Sequence, residues 1–175
     1  MPTLLDATGI ATALRRMADE IARSAPKGCS VGLVGIRSRG DDLARRLQPL
    51  LEKHGMHDLA YGCLDITLYR DDLAEIGPSA VVRTTEIDFD VAGRYLVLVD
   101  DVIHTGRSIR AALSAIVDLG RPRAIRLAVL VDREGSGREL PIQPDFAGVR
   151  VAESAGRVTV RLTETDGRDE VEVET

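Results

Sequence analysis

The sequence predicts an α/β fold, a mostly parallel, twisted sheet flanked by helices. Three observations predict it. Four short runs, 30–36, 60–66, 95–99 and 125–131, have the nearly unbroken hydrophobicity of strands buried on both faces. Segments with helical periodicity alternate with most of them, as strand–helix–strand crossovers require. The 175-residue length is that of one domain, and no linker, repeat or low-complexity run divides residues 1–175.

Each element has a local reason. Asp6 and Thr8 are cap candidates for a first helix, whose Ile10, Leu14, Met17 and Ile21 recur on one face before Pro26 and Gly28 end it. Strand 30–36 leads into a tight polar turn, 37–40. A helix from 41 to about 54 follows through Leu43, Leu47, Leu50 and Leu51, and Gly55 stops it. The second strand is 60–66. Residues 67–94 have weak periodicity and a candidate strand at 80–84; so long an unpatterned stretch in a compact domain marks a functional segment. Strand 95–99 ends on Asp100 and Asp101, and helix 108–119 is closed by Gly120 and Pro122. Strand 125–131 precedes a Gly- and Pro-containing loop, 133–148. Alternating valines on either side of Asp166-Gly167 predict a C-terminal hairpin over about 157–175.

Composition excludes several classes. The chain has 23 basic and 28 acidic residues. A sum of −5 argues against a generic nucleic-acid binder. That sum is local, because residues 164–175 hold six acids and one base, and the rest is balanced. Of the bases, 21 are Arg, the better bidentate phosphate ligand, although GC-rich codon usage gives the same excess. Trp is absent and aromatics are 3%, so a base-stacking platform for single strands is not expected. Cys29 and Cys63 have neither metal nor CxxC spacing and read as small core residues. No apolar run reaches the ~18 residues of a membrane span, and no signal peptide is visible, so a reducing cytoplasm and no membrane partner are expected.

The chemistry concentrates at 95–108. An apolar strand ends in Asp100 and Asp101; Val102, His104, Thr105, Gly106, Arg107 and Ser108 then lead into a helix. Backbone N–H groups and hydroxyls at a helix start form an anion site. Gly106 lets the backbone approach a phosphate, and His104 reads as filling the loop. Phosphate does not attract carboxylates, whereas a sugar diol or a metal does. The combination suggests a ribose phosphate, with the acids on the hydroxyls; a helix N-cap plus an acid pair of the response-regulator type at a strand end is the alternative.

Residues 96–109 resemble the signature of type I phosphoribosyltransferases, which bind phosphoribosyl pyrophosphate (PRPP). The resemblance implies that fold, with a flexible lid and a small hood. It places Asp100 and Asp101 on the ribose hydroxyls and 102–108 around the 5′-phosphate. Gly35-Ile-Arg37-Ser38-Arg39-Gly40 stands where that family grips pyrophosphate, through Ser38, Arg39 and Gly40. Together with Asp65–Leu73, Asp118–Pro122, Ala128–Arg133 and Arg138-Glu-Leu-Pro-Ile, the chain over about 10–165 resembles the PyrR family. That family couples uracil phosphoribosyltransferase activity to RNA-dependent attenuation of a pyrimidine operon.

The resemblance implies PRPP, uracil and UMP as ligands, operon leader RNA as a partner and a homodimer or tetramer. Asp100, Asp101 and Arg39 would be catalytic. Residues 67–94 would be a lid that brings Arg70 to the pyrophosphate. Mg²⁺ would be held chiefly through PRPP, with Asp100 a candidate ligand. Val131, Asp132 and Phe146 are the base-pocket candidates, although a residue such as Phe146 is more often core than a base stacker. Arg16, Arg138 and Arg150 are the candidates for an RNA face. The chain departs from the PyrR pattern in a longer loop after Arg133, and in Gln143 and Val149 where basic residues are usual.

Overall fold

In a computed structural model, which describes residues 2–76, 85–152 and 154–174, the chain is built on a five-stranded sheet. Its strands are β2 (Val31–Ile36), β3 (Leu59–Leu64), β4 (Tyr95–Ile103), β5 (Ala124–Arg133) and β6 (Phe146–Val151), in spatial order β3-β2-β4-β5-β6. Every neighbouring pair is parallel. Alternate side chains serve two cores. Tyr95, Val97 and Val99 face α1 (Ala7–Ser24) and α2 (Arg39–Lys53), whereas Leu96 and Leu98 face α4 (Arg107–Leu119). Burial on both faces is why these strands are continuously apolar.

Asp6 caps α1, its carboxylate accepting from the Gly9 N–H at 2.8 Å, and Ile10, Leu14, Met17 and Ile21 are all buried. A strand ahead of that helix, β1 (Thr3–Asp6), has no counterpart in the periodicity. It pairs with β8 (Glu170–Val173), which pairs in turn with β7 (Val158–Arg161), giving a small antiparallel sheet in the order β1-β8-β7. Between β7 and β8 lies a helical turn, α5 (Thr163–Asp166), so Asp166-Gly167 is not the two-residue turn of a tight hairpin. The acids of 164–175 are held here. Glu164 and Asp169 pair with Arg46 of α2, and Glu172 pairs with Arg161.

Two boundaries move in a way that matters for the site. β4 does not stop at Val99 but continues through both acids to Ile103, with Asp100 in register with Val129. Helix α2 begins at Arg39, not Asp41, so the polar turn and the helix start coincide. A short 3-10 turn, Thr67–Tyr69, and α3 (Leu73–Ile76) follow β3. The candidate strand at 80–84 lies outside the described residues.

Candidate active site

Helix α2 enters the sheet unusually closely. A Cβ at Gly35 would lie 2.5 Å from the Asp41 Cα. One at Gly40 would collide with the Val99 carbonyl and stand 3.0 Å from the Asp100 Cα. Only glycine at both positions lets the turn 37–40 press against the C-terminal half of β4. The Arg37–Ser38 peptide is cis, and the Arg37 N–H donates to the Leu64 carbonyl at 3.0 Å, tying the turn to β3.

Asp100 is 8% exposed and lies under this turn. Its carboxylate accepts the Asp101 N–H at 2.9 Å, and the Asp101 carboxylate accepts the Val102 N–H at 2.8 Å. Burial, and then the neighbouring Asp101 charge, push the Asp100 carboxyl well above the usual carboxylate range. The chain after β4 turns through Gly106 at φ 91°, a left-handed conformation that favours glycine, and α4 starts at Arg107 with its N–H on Thr105 Oγ1.

Three adjoining hollows share Ser108. One of about 260 Å³ is lined by Arg37, Ser38, Arg39, Arg70, Asp100 and Asp101, among others. A second, about 140 Å³, runs along Val102–Gly106. The third, about 550 Å³, is bordered by Arg70, Asp71, Asp72, Thr105 and Arg107. The acids, the turn and the loop expected to cradle phosphate therefore meet at one cleft. Asp65 and Thr67 line it as well, held together by Thr67 donating to Asp65 at 2.6 Å.

The cleft arginines are matched by carboxylates. Arg39 donates from Nε and Nη2 to Asp166 at 3.0 and 2.8 Å. Arg70 grips Asp72 at 2.8 and 2.6 Å, and Arg107 joins Asp71 to Glu139. Arg37 faces Glu86 at 3.6 Å. These pairs fix where the cations stand without neutralising the hydrogen-bonding capacity of a guanidinium, which has five donors.

Several side chains do not stand where the sequence suggested. Val131 and Phe146 are buried with α1 in the core, so neither presents a face to a base. Asp132 is also buried, in an ion pair with Arg138 at 2.6 Å. Arg138 is consequently no surface residue: its Nε donates to the His104 carbonyl and its Nη1 to the Ile142 carbonyl, both at 2.6 Å. A guanidinium satisfied on three sides and 8% exposed cannot join an RNA face. Arg16 and Arg150 do stay half-exposed. Arg16 donates to the carbonyls of Ala147 and Gly148 on edge strand β6, and Arg150 approaches Asp132 and Glu134 at 3.7 and 3.4 Å.

A family model for the phosphoribosyl transferase domain matches residues 2–158. A bifunctional protein PyrR from Roseiflexus sp. (strain RS-1) is 52% identical over 165 residues, 94% of this chain and 89% of that protein. One from Thermus aquaticus is 49% identical over 171 residues, 97% of this chain and 93% of its own length. This chain belongs to the PyrR family. As a PyrR-family member it is a phosphoribosyltransferase, and its architecture is the type I fold. A hypoxanthine phosphoribosyltransferase of Trypanosoma cruzi superposes with a TM-score of 0.73 over 99% of this chain and 95% of its own, at 15% identity. A hypoxanthine-guanine phosphoribosyltransferase from Bacillus anthracis gives 0.73 over 100% and 99% at 14% identity. Such identities speak for the fold alone, and leave the base to be argued from the PyrR-family likeness. No helix among the described residues is long and apolar enough to cross a membrane.

Proposed function

We propose that this PyrR-family chain transfers the ribose phosphate of PRPP to uracil, giving UMP and pyrophosphate, and that UMP-dependent binding of operon leader RNA accompanies the activity. The observation that carries the enzymatic reading is the meeting of Asp100, Asp101, Ser38 and Arg39 around one hollow. The likeness at about half identity to proteins named bifunctional PyrR supports uracil as the base and RNA as the partner.

The C1′–oxygen bond to pyrophosphate breaks and the C1′–N1 bond to uracil forms, through positive charge on the ribose ring. The 5′-phosphate sits on the N-terminus of α4 and the loop 104–108, where backbone N–H groups and Ser108 supply donors. Asp100 and Asp101 hold the ribose hydroxyls. Arg39, the Ser38–Gly40 backbone and Arg70 take the charge developing on pyrophosphate. Asp101 either accepts the N1 proton of uracil or stabilises the ring charge. The lid assigned to residues 67–94, of which 77–84 lie outside the described residues, would exclude water from the activated sugar.

Among the described residues no cluster of three or more His, Cys, Asp or Glu is arranged to hold a metal ion. A single buried carboxylate at Asp100 fits Mg²⁺ carried mainly by the substrate's own oxygens, as this hard, hydrated ion favours. When bound, Mg²⁺ neutralises charge on the leaving pyrophosphate.

A dimer or tetramer in a reducing cytoplasm, with Arg16 and Arg150 contributing to the RNA face, completes the reading. Two free thiols, Cys29 and Cys63, suit such a compartment. Assays with PRPP and each base test the enzyme: uracil turnover is expected, and hypoxanthine or guanine turnover without uracil turnover overturns it. Retention of leader RNA by the chain, strengthened by UMP, tests the regulator; no retention at low salt ends that reading.

A further inference from the structure

We propose that Asp166, in the small C-terminal sheet region, is a positioning residue for the transfer reaction: it holds Arg39 at the pyrophosphate end of the cleft. The inference rests on the reading that Arg39 meets pyrophosphate.

Three observations carry it. The first is geometric. Asp166 binds the Nε and Nη2 edge of Arg39, the bidentate arrangement that fixes a guanidinium plane as well as its position. Nη1 is not engaged by this grip, and Arg39 lines the hollow that Asp100 and Asp101 also line.

The second is that Asp166 is itself anchored. Its Oδ2 accepts the Leu162 N–H at 2.9 Å, within the turn of α5. The Leu162 side chain is fully buried beside α1 and α2 in the core. Asp166 is thus a fixed carboxylate rather than a mobile surface acid, and a long flexible side chain held by a fixed partner loses its rotamer freedom before substrate arrives.

The third separates positioning from mere docking. The same turn region is fastened to α2 by other contacts that do not touch Arg39. Arg46 pairs with Glu164 at 2.5 Å and with Asp169 at 2.7 Å, and Thr165 donates to Asp42 at 2.6 Å. Attachment of the small sheet therefore does not require the Arg39–Asp166 pair. What that pair uniquely does is orient the one α2 arginine that borders the acids.

Calorimetric titration with PRPP and Mg²⁺ tests this without depending on the identity of the base. Four variants are compared: Asp166→Asn, Arg46→Gln, Arg39→Gln and the double Arg39→Gln/Asp166→Asn. Asp166→Asn keeps an oxygen to accept from Leu162. It is expected to weaken PRPP binding about tenfold, and the double variant to bind no more weakly than Arg39→Gln alone. Arg46→Gln is expected to lower the melting temperature and leave PRPP affinity within about twofold of the parent. Equal loss of affinity in Asp166→Asn and Arg46→Gln makes the effect one of docking and overturns the proposal. So does an unchanged affinity in Asp166→Asn when Arg39→Gln is weakened. An unchanged affinity in Arg39→Gln overturns instead the reading on which the proposal stands.

Discussion

Arg138 and Asp132 form an ion pair at 2.6 Å with 8% and 3% of their side chains exposed, behind the loop that follows β4. The same guanidinium holds the His104 carbonyl. Glu139 and Leu140 next to it donate their N–H groups to the Thr105 carbonyl at 3.0 and 3.2 Å. The loop after β5 is therefore the support of the loop expected to take the 5′-phosphate. Removing Arg138 leaves Asp132 buried and largely uncompensated. Arg138→Met is expected to cost about 3–5 kcal/mol of stability, read from urea unfolding. A cost below about 1 kcal/mol, the worth of a surface pair, would contradict the buried role.

Gly40 permits the contact between α2 and β4. The Cβ of Gly40→Ala meets the backbone at Val99 and Asp100, which cannot rotate away as a side chain does. A loss of about 1–3 kcal/mol is expected, together with weaker PRPP binding because the turn moves off the acids. Unchanged melting temperature and unchanged affinity would show that the helix shifts freely.

Asp100 is held above the usual carboxylate range by burial and by Asp101. A carboxyl raised in the folded state binds a proton more tightly there than in the unfolded chain. Its contribution to stability is present below the ordinary value of 3.8 and is lost as pH rises through the folded value. Asp100→Asn removes that loss. The variant is expected to gain melting temperature relative to the parent as pH is raised through the raised Asp100 value, while losing transfer activity. A parent–variant difference that does not change with pH counts against the burial argument.

The acids on α5, on β8 and in the turn between them behave in the opposite sense. Arg39 lowers the Asp166 carboxyl, Arg46 lowers Glu164 and Asp169, and Arg161 lowers Glu172. Their contribution is present above the ordinary values of 3.8 and 4.5 and is lost as pH falls through the depressed ones. Acid is expected to loosen the small sheet first. Amide exchange should rise in β7 and β8 below about pH 4 before it rises in β4; simultaneous exchange in both sheets would refute the order.

Arg16 and Arg150 remain the exposed candidates for RNA, at 51% and 58%. Arg150→Gln is expected to weaken leader RNA binding and to lower the slope of log K against log salt by about 1, the signature of one lost phosphate contact. An unchanged slope places the RNA elsewhere. Arg16→Gln also uncaps the carbonyls of Ala147 and Gly148, so its effect on RNA has to be read beside a melting curve.

The central strands were legible because burial on both faces forces continuous apolar sequence, as in Leu96–Val99 between two cores. The carboxylate pair and Thr105-Gly106 were legible because a phosphate loop at a helix start needs local residue types in a local order. β1 was not, since Thr3–Asp6 is stabilised by pairing with β8, more than 160 residues away. Nor was the base pocket: Val131 and Phe146 look the same in sequence whether they face a ligand or α1.

The sequence by itself determined the α/β class, four of the five parallel strands and the position of the turn between β4 and α4, because short-range periodicity and turn chemistry specify them; β6 (Phe146–Val151) begins inside the segment 133–148 that the sequence suggests is a loop. The tertiary structure alone decided which carboxylate each arginine meets. Arg39 and Asp166 are 127 positions apart, and Arg138 could lie on a surface or under a loop with the same neighbours in sequence. An ion pair depends on distance and on the solvent excluded around it, and both are set only when the chain has folded.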